Sequence, residues 1–161
     1  MVSKPLAPGD KAPPFNLPGD GGATISLAGF KGKAFVLYFY PKDDTSGCTA
    51  EAIAFSGLSK EFQKAGIAVA GISKESPVSH DKFKKKHGLA LALASDEDTK
   101  TAKAYGVWVE KSMYGRRYMG MERATFLIDS GGTIRNVWRK VKVPGHASEV
   151  LAAAKAIKGD G

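Results

Sequence analysis

The chain has 161 residues, one cysteine and a formal net charge of +8, which is the size of one ordinary globular domain. One cysteine excludes an intramolecular disulfide framework and a cysteine-rich zinc site, and no apolar run approaches the ~20 residues of a membrane span. The positive charge would suit acidic partners. The lysine cluster at 82 and 84–86 has no repeated interleaving of aromatic residues, however, so we interpret it as a solvated helix face and expect no nucleic-acid or membrane partner.

Proline and glycine dominate the first ~30 residues, which therefore predict only short extended pieces and turns. Strands over 12–16 and 24–27 are expected to pair as a small N-terminal β-hairpin. The continuous apolar run over 34–39 then predicts a strand that is buried on both faces.

A helix is predicted after this strand, because Phe55, Leu58, Phe62 and Ala65 recur at helical spacing before Gly66. A second buried strand is predicted over 67–72. Strand, helix and strand in this order form a βαβ unit, whose crossover is expected to be right-handed.

The second half of the chain continues the alternation of strands and helices. The remaining predicted elements are a helix that begins at Pro77, a strand over 91–94, a helix over 99–105, a hairpin of strands 124–128 and 133–139, and a C-terminal helix with its apolar stripe at Val150, Leu151, Ala154 and Ile157. In the helix that begins at Pro77, Val78 and Phe83 are expected to face inward. The order of elements predicts an α/β fold with one mixed sheet between helices, in a single domain over 1–161.

The segment 38–51, Tyr-Phe-Tyr-Pro-Lys-Asp-Asp-Thr-Ser-Gly-Cys-Thr-Ala-Glu, carries the chemistry. It follows a buried strand, and ligands bind at the carboxyl ends of strands in open α/β sheets. Thr45 or Ser46 can cap the next helix, which puts Cys48 in or beside its first turn, where a thiolate is favoured. A lone cysteine after a buried strand is most often a small core residue, but the polar turn over 43–47 is not a core environment.

The energetics of such a thiolate require a cation as well as a helix. Lowering the pKa of a thiol from ~8.5 to ~6 takes roughly 3.4 kcal/mol. A helix N-terminus supplies at most ~2 kcal/mol. The residues alone leave open which of the arginines makes up the difference.

The stretch Pro41-Lys-Asp-Asp-Thr-Ser-Gly-Cys48 resembles the Pro-x-x-x-Thr/Ser-x-x-Cys motif of peroxiredoxins. The longer string 39–51, and also 9–17, 105–115 and 120–129, are similar to segments of the bacterioferritin comigratory protein, or peroxiredoxin Q, subfamily. The resemblance implies a thioredoxin-like fold with a central mixed β-sheet flanked by helices. It also implies reduction of hydrogen peroxide and organic hydroperoxides by a cysteine thiolate, through a sulfenic acid, without a cofactor or a metal.

The same resemblance implies a role for five residues. Cys48 matches the peroxidatic cysteine, and Thr45 matches the hydroxyl that hydrogen-bonds the peroxide. Pro41 matches the proline that shields the thiolate from water. Arg123 matches the motif arginine and would supply the missing cation, and Glu51 matches an acidic position that we expect to help orient Arg123.

One departure from the subfamily concerns the second half of the reaction. Where many members carry a resolving cysteine five residues after the first, this chain has Ile53, and the next helix, where others carry it, reads Phe-Lys-Lys-Lys over 83–86. The resolving thiol must therefore come from another molecule, with thioredoxin, glutaredoxin and low-molecular-weight thiols left open. The resemblance suggests a monomer, and the lack of a signal-peptide core near the N-terminus leads us to expect a cytoplasmic protein.

Three other interpretations concern the alternative function, the histidines and segment 113–121. A thioredoxin-fold redox-sensing, chaperone-like or binding module with little turnover remains the alternative, and rapid consumption of peroxide by the reduced protein would distinguish the two. His80, His87 and His146 lack metal-ligand spacing and are expected at exposed positions. The methionines and tyrosines of 113–121 are interpreted as surface or packing residues, or as a loop near the active site.

Overall fold

The architecture comes from a computed structural model of the protein, in which residues 6–159 are described. The strands are β1 (Asn16–Pro18), β2 (Thr24–Ser26), β3 (Phe35–Phe39), β4 (Ala68–Ser73), β5 (Ala92–Ser95), β6 (Trp108–Met113), β7 (Arg116–Met121), β8 (Ala124–Ile128) and β9 (Ile134–Trp138). The α-helices are α1 (Ser46–Gly57), α2 (Ser59–Lys64), α3 (Pro77–His87), α4 (Lys100–Ala104) and α5 (His146–Gly159). Two single-turn 3₁₀ helices lie at Asp20–Gly22 and Ala28–Phe30.

The central sheet has five strands in the order β5-β4-β3-β8-β9. β3 is parallel to β4, and β4 to β5, whereas β8 is antiparallel to both β3 and β9. Every residue of β3 is buried, because Phe35, Leu37 and Phe39 pack into the hydrophobic core on one face of the sheet. Val36 and Tyr38 pack into the core on the other face, beneath α1 and α5. The predicted mixed sheet, its doubly buried strand and the N-terminal β-hairpin are confirmed.

Two elements differ from the prediction by more than one residue. The first strand was expected over 12–16 but spans Asn16–Pro18, since Pro13 and Pro14 have no N–H group to give to a ladder. The helix expected to continue to Gly66 is interrupted at Leu58, which has φ −101° and ψ 8°. Gly57 immediately precedes this break, and glycine weakens a helix interior.

A further hairpin was not predicted at all. β6 and β7 form a separate antiparallel pair, and their connection places Tyr114 at φ 52° and Gly115 at φ 78°. Such left-handed values at both central residues belong to the tight turns that join hairpin strands. The prediction that Val78 faces inward is also wrong, since it is 62% exposed on the first turn of α3, whereas Phe83 is buried as expected.

The register of the sheet positions the functional residues. Phe39, the last residue of β3, pairs with Ile72 of β4 on one side and with Ala124 of β8 on the other. The residue before Ala124 therefore lies at the same edge as the loop that leads from β3 into α1. Within residues 6–159, no helix is long and apolar enough to cross a membrane.

Candidate active site

Cys48 is the third residue of α1 and only 1% exposed. Thr45 occupies the N-cap position with extended backbone angles, and its carbonyl accepts the first helical hydrogen bond, from Thr49 N–H at 2.8 Å. The N–H groups that precede Thr49 point out of the helix start and carry its positive end. The thiol therefore lies in the turn where a helix best favours a negative charge.

The loop before α1 is held by a buried carboxylate. Asp43 Oδ1 accepts a 2.6 Å hydrogen bond from Tyr40 OH, while Asp43 Oδ2 lies 2.8 Å from His80 Nδ1 and accepts from Ser79 Oγ at 2.8 Å. Burial alone would raise the pKa of Asp43, but the hydrogen bonds from His80 and Tyr40 outweigh burial and lower it. The Asp43 N–H in turn donates to Glu75 Oε1 at 2.7 Å. These contacts tie the loop to α3.

The next residue of the loop, Asp44, has φ 61°, a left-handed conformation that costs an aspartate little. Its carboxylate contacts Lys86 Nζ at 2.7 Å and His87 Nε2 at 2.8 Å, both near the end of α3. These hydrogen bonds, first that of Lys86, lower the pKa of Asp44. Both contacts of the Asp44 carboxylate are solvent-accessible, so they stabilise the loop only modestly.

None of the three histidines is exposed, contrary to the prediction: His87 is half-buried, and the other two are buried. His80 is fully buried, because its ring lies between Asp43 and the Ala94 carbonyl oxygen, 3.0 Å from Nε2. His146 is 5% exposed and lies 2.8 Å from Thr125 Oγ1, and burial lowers its pKa. Sequence reasoning missed both because their polar partners are distant in the chain.

Arg123 joins the two acidic groups of the site. Its Nη2 donates to Cys48 Sγ at 3.4 Å, and its Nη1 donates to Glu51 Oε1 at 2.7 Å. Gly47 makes this approach possible, since a Cβ atom at that position would lie 3.0 Å from Arg123 Nη2. Burial alone would lower the pKa of Arg123, but the charges of Glu51 and Cys48 raise it, so the guanidinium stays charged.

Glu51 lies one turn further along α1 and is 1% exposed. Burial raises the pKa of Glu51 to about 7, although Arg123 acts in the opposite direction. Its second oxygen, Oε2, has no hydrogen-bond partner among the described residues. Only one of the two Glu51 carboxyl oxygens thus has a hydrogen-bond partner among the described residues, and the group goes from neutral to charged as pH rises through about 7.

The other two predicted residues lie on the same loop. The hydroxyl of Thr45 donates to the Lys42 carbonyl oxygen at 2.9 Å, which leaves its lone pairs as acceptors. Pro41 is half-buried between the end of β3 and the start of α1. The structure therefore brings Cys48, Arg123 and Glu51 into direct contact and places Thr45 and Pro41 on the segment that leads to them.

Comparisons with known proteins identify relatives over most of the chain. The model of the AhpC/TSA family matches residues 8–137. The "Putative peroxiredoxin bcp" of Coxiella burnetii is 52% identical over 143 residues, covering 89% of this chain and 95% of that protein. "Peroxiredoxin Bcp" of Bacillus subtilis is 47% identical over 147 residues, with coverages of 91% and 94%. A solved structure of the bacterioferritin comigratory protein of Xanthomonas campestris superposes with a TM-score of 0.86 at 46% identity, over 89% of this chain and 92% of that one.

Proposed function

This chain belongs to the AhpC/TSA family and to the peroxiredoxins within it, and from that premise we propose how its residues reduce a hydroperoxide. It is a thiol peroxidase, an oxidoreductase with a thioredoxin-like fold, as predicted. The comparisons favour this activity over a binding or chaperone-like module with little turnover. The contact that carries the proposal is the 3.4 Å approach of Arg123 Nη2 to Cys48 Sγ at a helix start.

Cys48 is the nucleophile in this proposal. Its thiolate attacks one peroxide oxygen, so that an S–O bond forms while the O–O bond breaks. The sulfur is oxidised to a sulfenic acid and the peroxide is reduced by the same two electrons. The leaving oxygen takes up a proton and departs as water or an alcohol. Arg123 and the start of α1 stabilise the thiolate before attack.

Charge develops on the leaving oxygen during the attack, and pre-positioned donors lower the energy of that state. Arg123 supplies such a donor because its guanidinium already lies at the sulfur. Thr45 acts differently: since its own proton is directed at the Lys42 carbonyl, it accepts the hydrogen bond of the hydroperoxide O–H. Donor and acceptor together would align the O–O bond with the sulfur.

The last two residues act around this centre. Glu51 orients the guanidinium, because it accepts from Nη1 and so turns Nη2 towards Cys48. Pro41 shields the thiolate from water, in line with its place between the end of β3 and the start of α1. Neither residue is assigned a chemical step.

An external thiol completes the cycle, because Cys48 is the only cysteine of the chain. Two thiol equivalents return the sulfenic acid to the thiol, with release of water and formation of a disulfide on the reductant. We propose that the external reductant is thioredoxin, glutaredoxin or a low-molecular-weight thiol. We also propose a monomeric, single-domain enzyme over 1–161, of which 1–5 and 160–161 lie outside the described residues. A cytoplasmic location fits, since the one thiol must be kept reduced.

The substrates are hydrogen peroxide and organic hydroperoxides. The Xanthomonas campestris relative has a described alkyl peroxide reduction activity. The contacts proposed here involve only the O–O bond and the O–H group, which hydrogen peroxide and organic hydroperoxides share. The enzyme would thus serve as an antioxidant in cell redox homeostasis.

The test uses the fully reduced protein without any reductant. It should consume one equivalent of peroxide rapidly, whereas Cys48→Ser should consume none, because a serine hydroxyl is essentially never ionised at neutral pH. Circular dichroism of both proteins controls for the fold. Peroxide turnover by purified Cys48→Ser would remove Cys48 from its role.

A further inference from the structure

Glu75 is a half-buried residue between β4 and α3, outside the motif that carries Cys48. Its Oε1 accepts two hydrogen bonds, from the Asp43 N–H at 2.7 Å and from the Ser73 hydroxyl at 2.9 Å. Ser73 is the last residue of β4 and is fully buried. One carboxylate oxygen therefore joins the loop before α1 to the end of a central strand.

The sheet brings these two residues together although they lie 32 positions apart in the chain. β3 is parallel to β4, and the Tyr40 N–H extends their ladder past the end of β3 by donating to the Ile72 carbonyl oxygen at 3.1 Å. The loops that follow the two strands thus leave the sheet side by side. Asp43 lies on one loop and Glu75 on the other, so the N–H of the first reaches the carboxylate of the second.

The N–H that Glu75 holds belongs to the same peptide group as the Lys42 carbonyl, and that carbonyl oxygen accepts the Thr45 hydroxyl at 2.9 Å. A trans peptide is planar, with its N–H and C=O pointing in opposite directions, so fixing one end of the group also fixes the other. A carboxylate on the N–H makes the C=O a stronger acceptor as well, because successive hydrogen bonds polarise one another. Carboxylate, peptide and hydroxyl therefore form one chain of hydrogen bonds that ends at Thr45.

The direction of the Thr45 proton decides what the hydroxyl offers to a substrate. A hydroxyl has one proton and two lone pairs. While its proton is directed at the Lys42 carbonyl, Thr45 presents only lone pairs and accepts from the O–H of a hydroperoxide. Without that partner the hydroxyl would rotate freely and would no longer be fixed as an acceptor.

We propose that Glu75 is a positioning residue of the active site: by holding the Lys42–Asp43 peptide group, it keeps the Thr45 hydroxyl turned as an acceptor for the O–H of the hydroperoxide. The inference deepens the proposed function and rests on it, because Thr45 must be that acceptor. Glu75 acts through the peptide and the hydroxyl, and it neither forms a bond to the substrate nor exchanges a proton with it.

The test compares Glu75→Met with Glu75→Gln in the reaction of the reduced protein with hydrogen peroxide. Both variants lose the negative charge, but only glutamine keeps an oxygen that can accept from the Asp43 N–H. Glu75→Met should lower the second-order rate constant about two- to tenfold, the range of one lost neutral hydrogen bond, whereas Glu75→Gln should keep most of the wild-type rate. Glu97→Met is the control, since it removes an equal charge from an exposed turn after β5 and should leave the rate unchanged.

A double-mutant cycle with Thr45→Val tests whether Glu75 acts through the hydroxyl. Thr45→Val leaves no hydroxyl to orient, so adding Glu75→Met should change the rate little, whereas general damage to the loop would slow the reaction in both backgrounds. Ser73→Ala is a milder variant, because it keeps Glu75 and removes one of the two donors to its Oε1. It should slow the reaction only where Thr45 is present, and it takes the place of Glu75→Met if that variant does not fold.

Three results would overturn the inference. They are a wild-type rate in Glu75→Met, an equally lowered rate in Glu75→Met and Glu75→Gln, and the same slowing by Glu75→Met in the wild-type and Thr45→Val backgrounds. An unchanged rate in Thr45→Val itself, or a wild-type protein that consumes no peroxide, would instead contradict the proposed function, so the two kinds of failure are distinguishable.

Discussion

Replacing Arg123 by alanine removes a side chain that donates hydrogen bonds to both Cys48 and Glu51. The arginine side chain is 18% exposed and that of Glu51 1%, so solvent screens these contacts little. A hydrogen bond to a charged group contributes about 1.5–3 kcal/mol. At ~1.36 kcal/mol per factor of ten, Arg123→Ala should slow the reaction with peroxide about 13- to 160-fold.

Stopped-flow kinetics of the reduced protein with hydrogen peroxide measure this rate, and thiolate absorbance against pH measures ionisation of the sulfur. The midpoint of the absorbance titration should move to higher pH. Arg135→Ala is a matched control, because Arg135 is ion-paired with Asp129 at 3.5 Å and lies towards the other end of β8 and β9. The fold should persist, since Glu51 without Arg123 has an even higher pKa and stays neutral at pH 7.

Retention of both the rate and the titration midpoint in Arg123→Ala would refute this reasoning. It would mean that another cation stabilises the thiolate. A lowered rate with an unmoved midpoint would limit Arg123 to the leaving oxygen.

Two further perturbations separate the remaining contributions. Thr45→Val should slow peroxide reduction about two- to tenfold through one lost neutral hydrogen bond, while the thiolate titration midpoint stays in place; a shifted midpoint would contradict the acceptor role. Glu51 has a folded-state pKa of about 7 against 4.5 in the unfolded chain. Between these two pH values the folded state therefore binds one proton more than the unfolded state. The stability that this proton contributes is lost as pH rises through 7. The free energy of urea unfolding should therefore be lower at pH 8 than at pH 5 by about 2.5 kcal/mol, a difference that Glu51→Gln removes, and equal pH slopes in the two proteins would contradict it.

The motif residues could be located from sequence because their chemistry and their local structure coincide. Cys48 follows a strand that is apolar throughout and a turn that is polar throughout, so both its helix position and its reactivity were predictable. The contact with Arg123 was implied by resemblance alone. It depends on the pairing of Phe39 with Ala124, which links segments 85 residues apart, and periodicity carries no such information.

Of the parts that were missed, the buried histidine depends on contacts of that long-range kind, whereas the hairpin does not. His80 is buried because Asp43, 37 residues away, and Ala94 enclose its ring, and nothing local in α3 indicates it. The β6–β7 hairpin has no clean alternation of apolar and polar residues, since Met121 alone of the two strands is buried. Its signal was Tyr114-Gly115, a pair that supports a tight turn between two extended segments.

The most direct test of the central claim is the intact mass of the protein after one equivalent of peroxide, combined with a non-reducing gel. Because Cys48 has no partner cysteine in its own chain, we expect a monomer heavier by one oxygen that a sulfenic-acid reagent traps. Excess peroxide should add a second oxygen, giving a sulfinic acid that ordinary thiols do not reduce. Rapid, near-complete conversion to a disulfide-linked dimer at dilute protein, or an unchanged mass, would contradict a single-cysteine peroxidase.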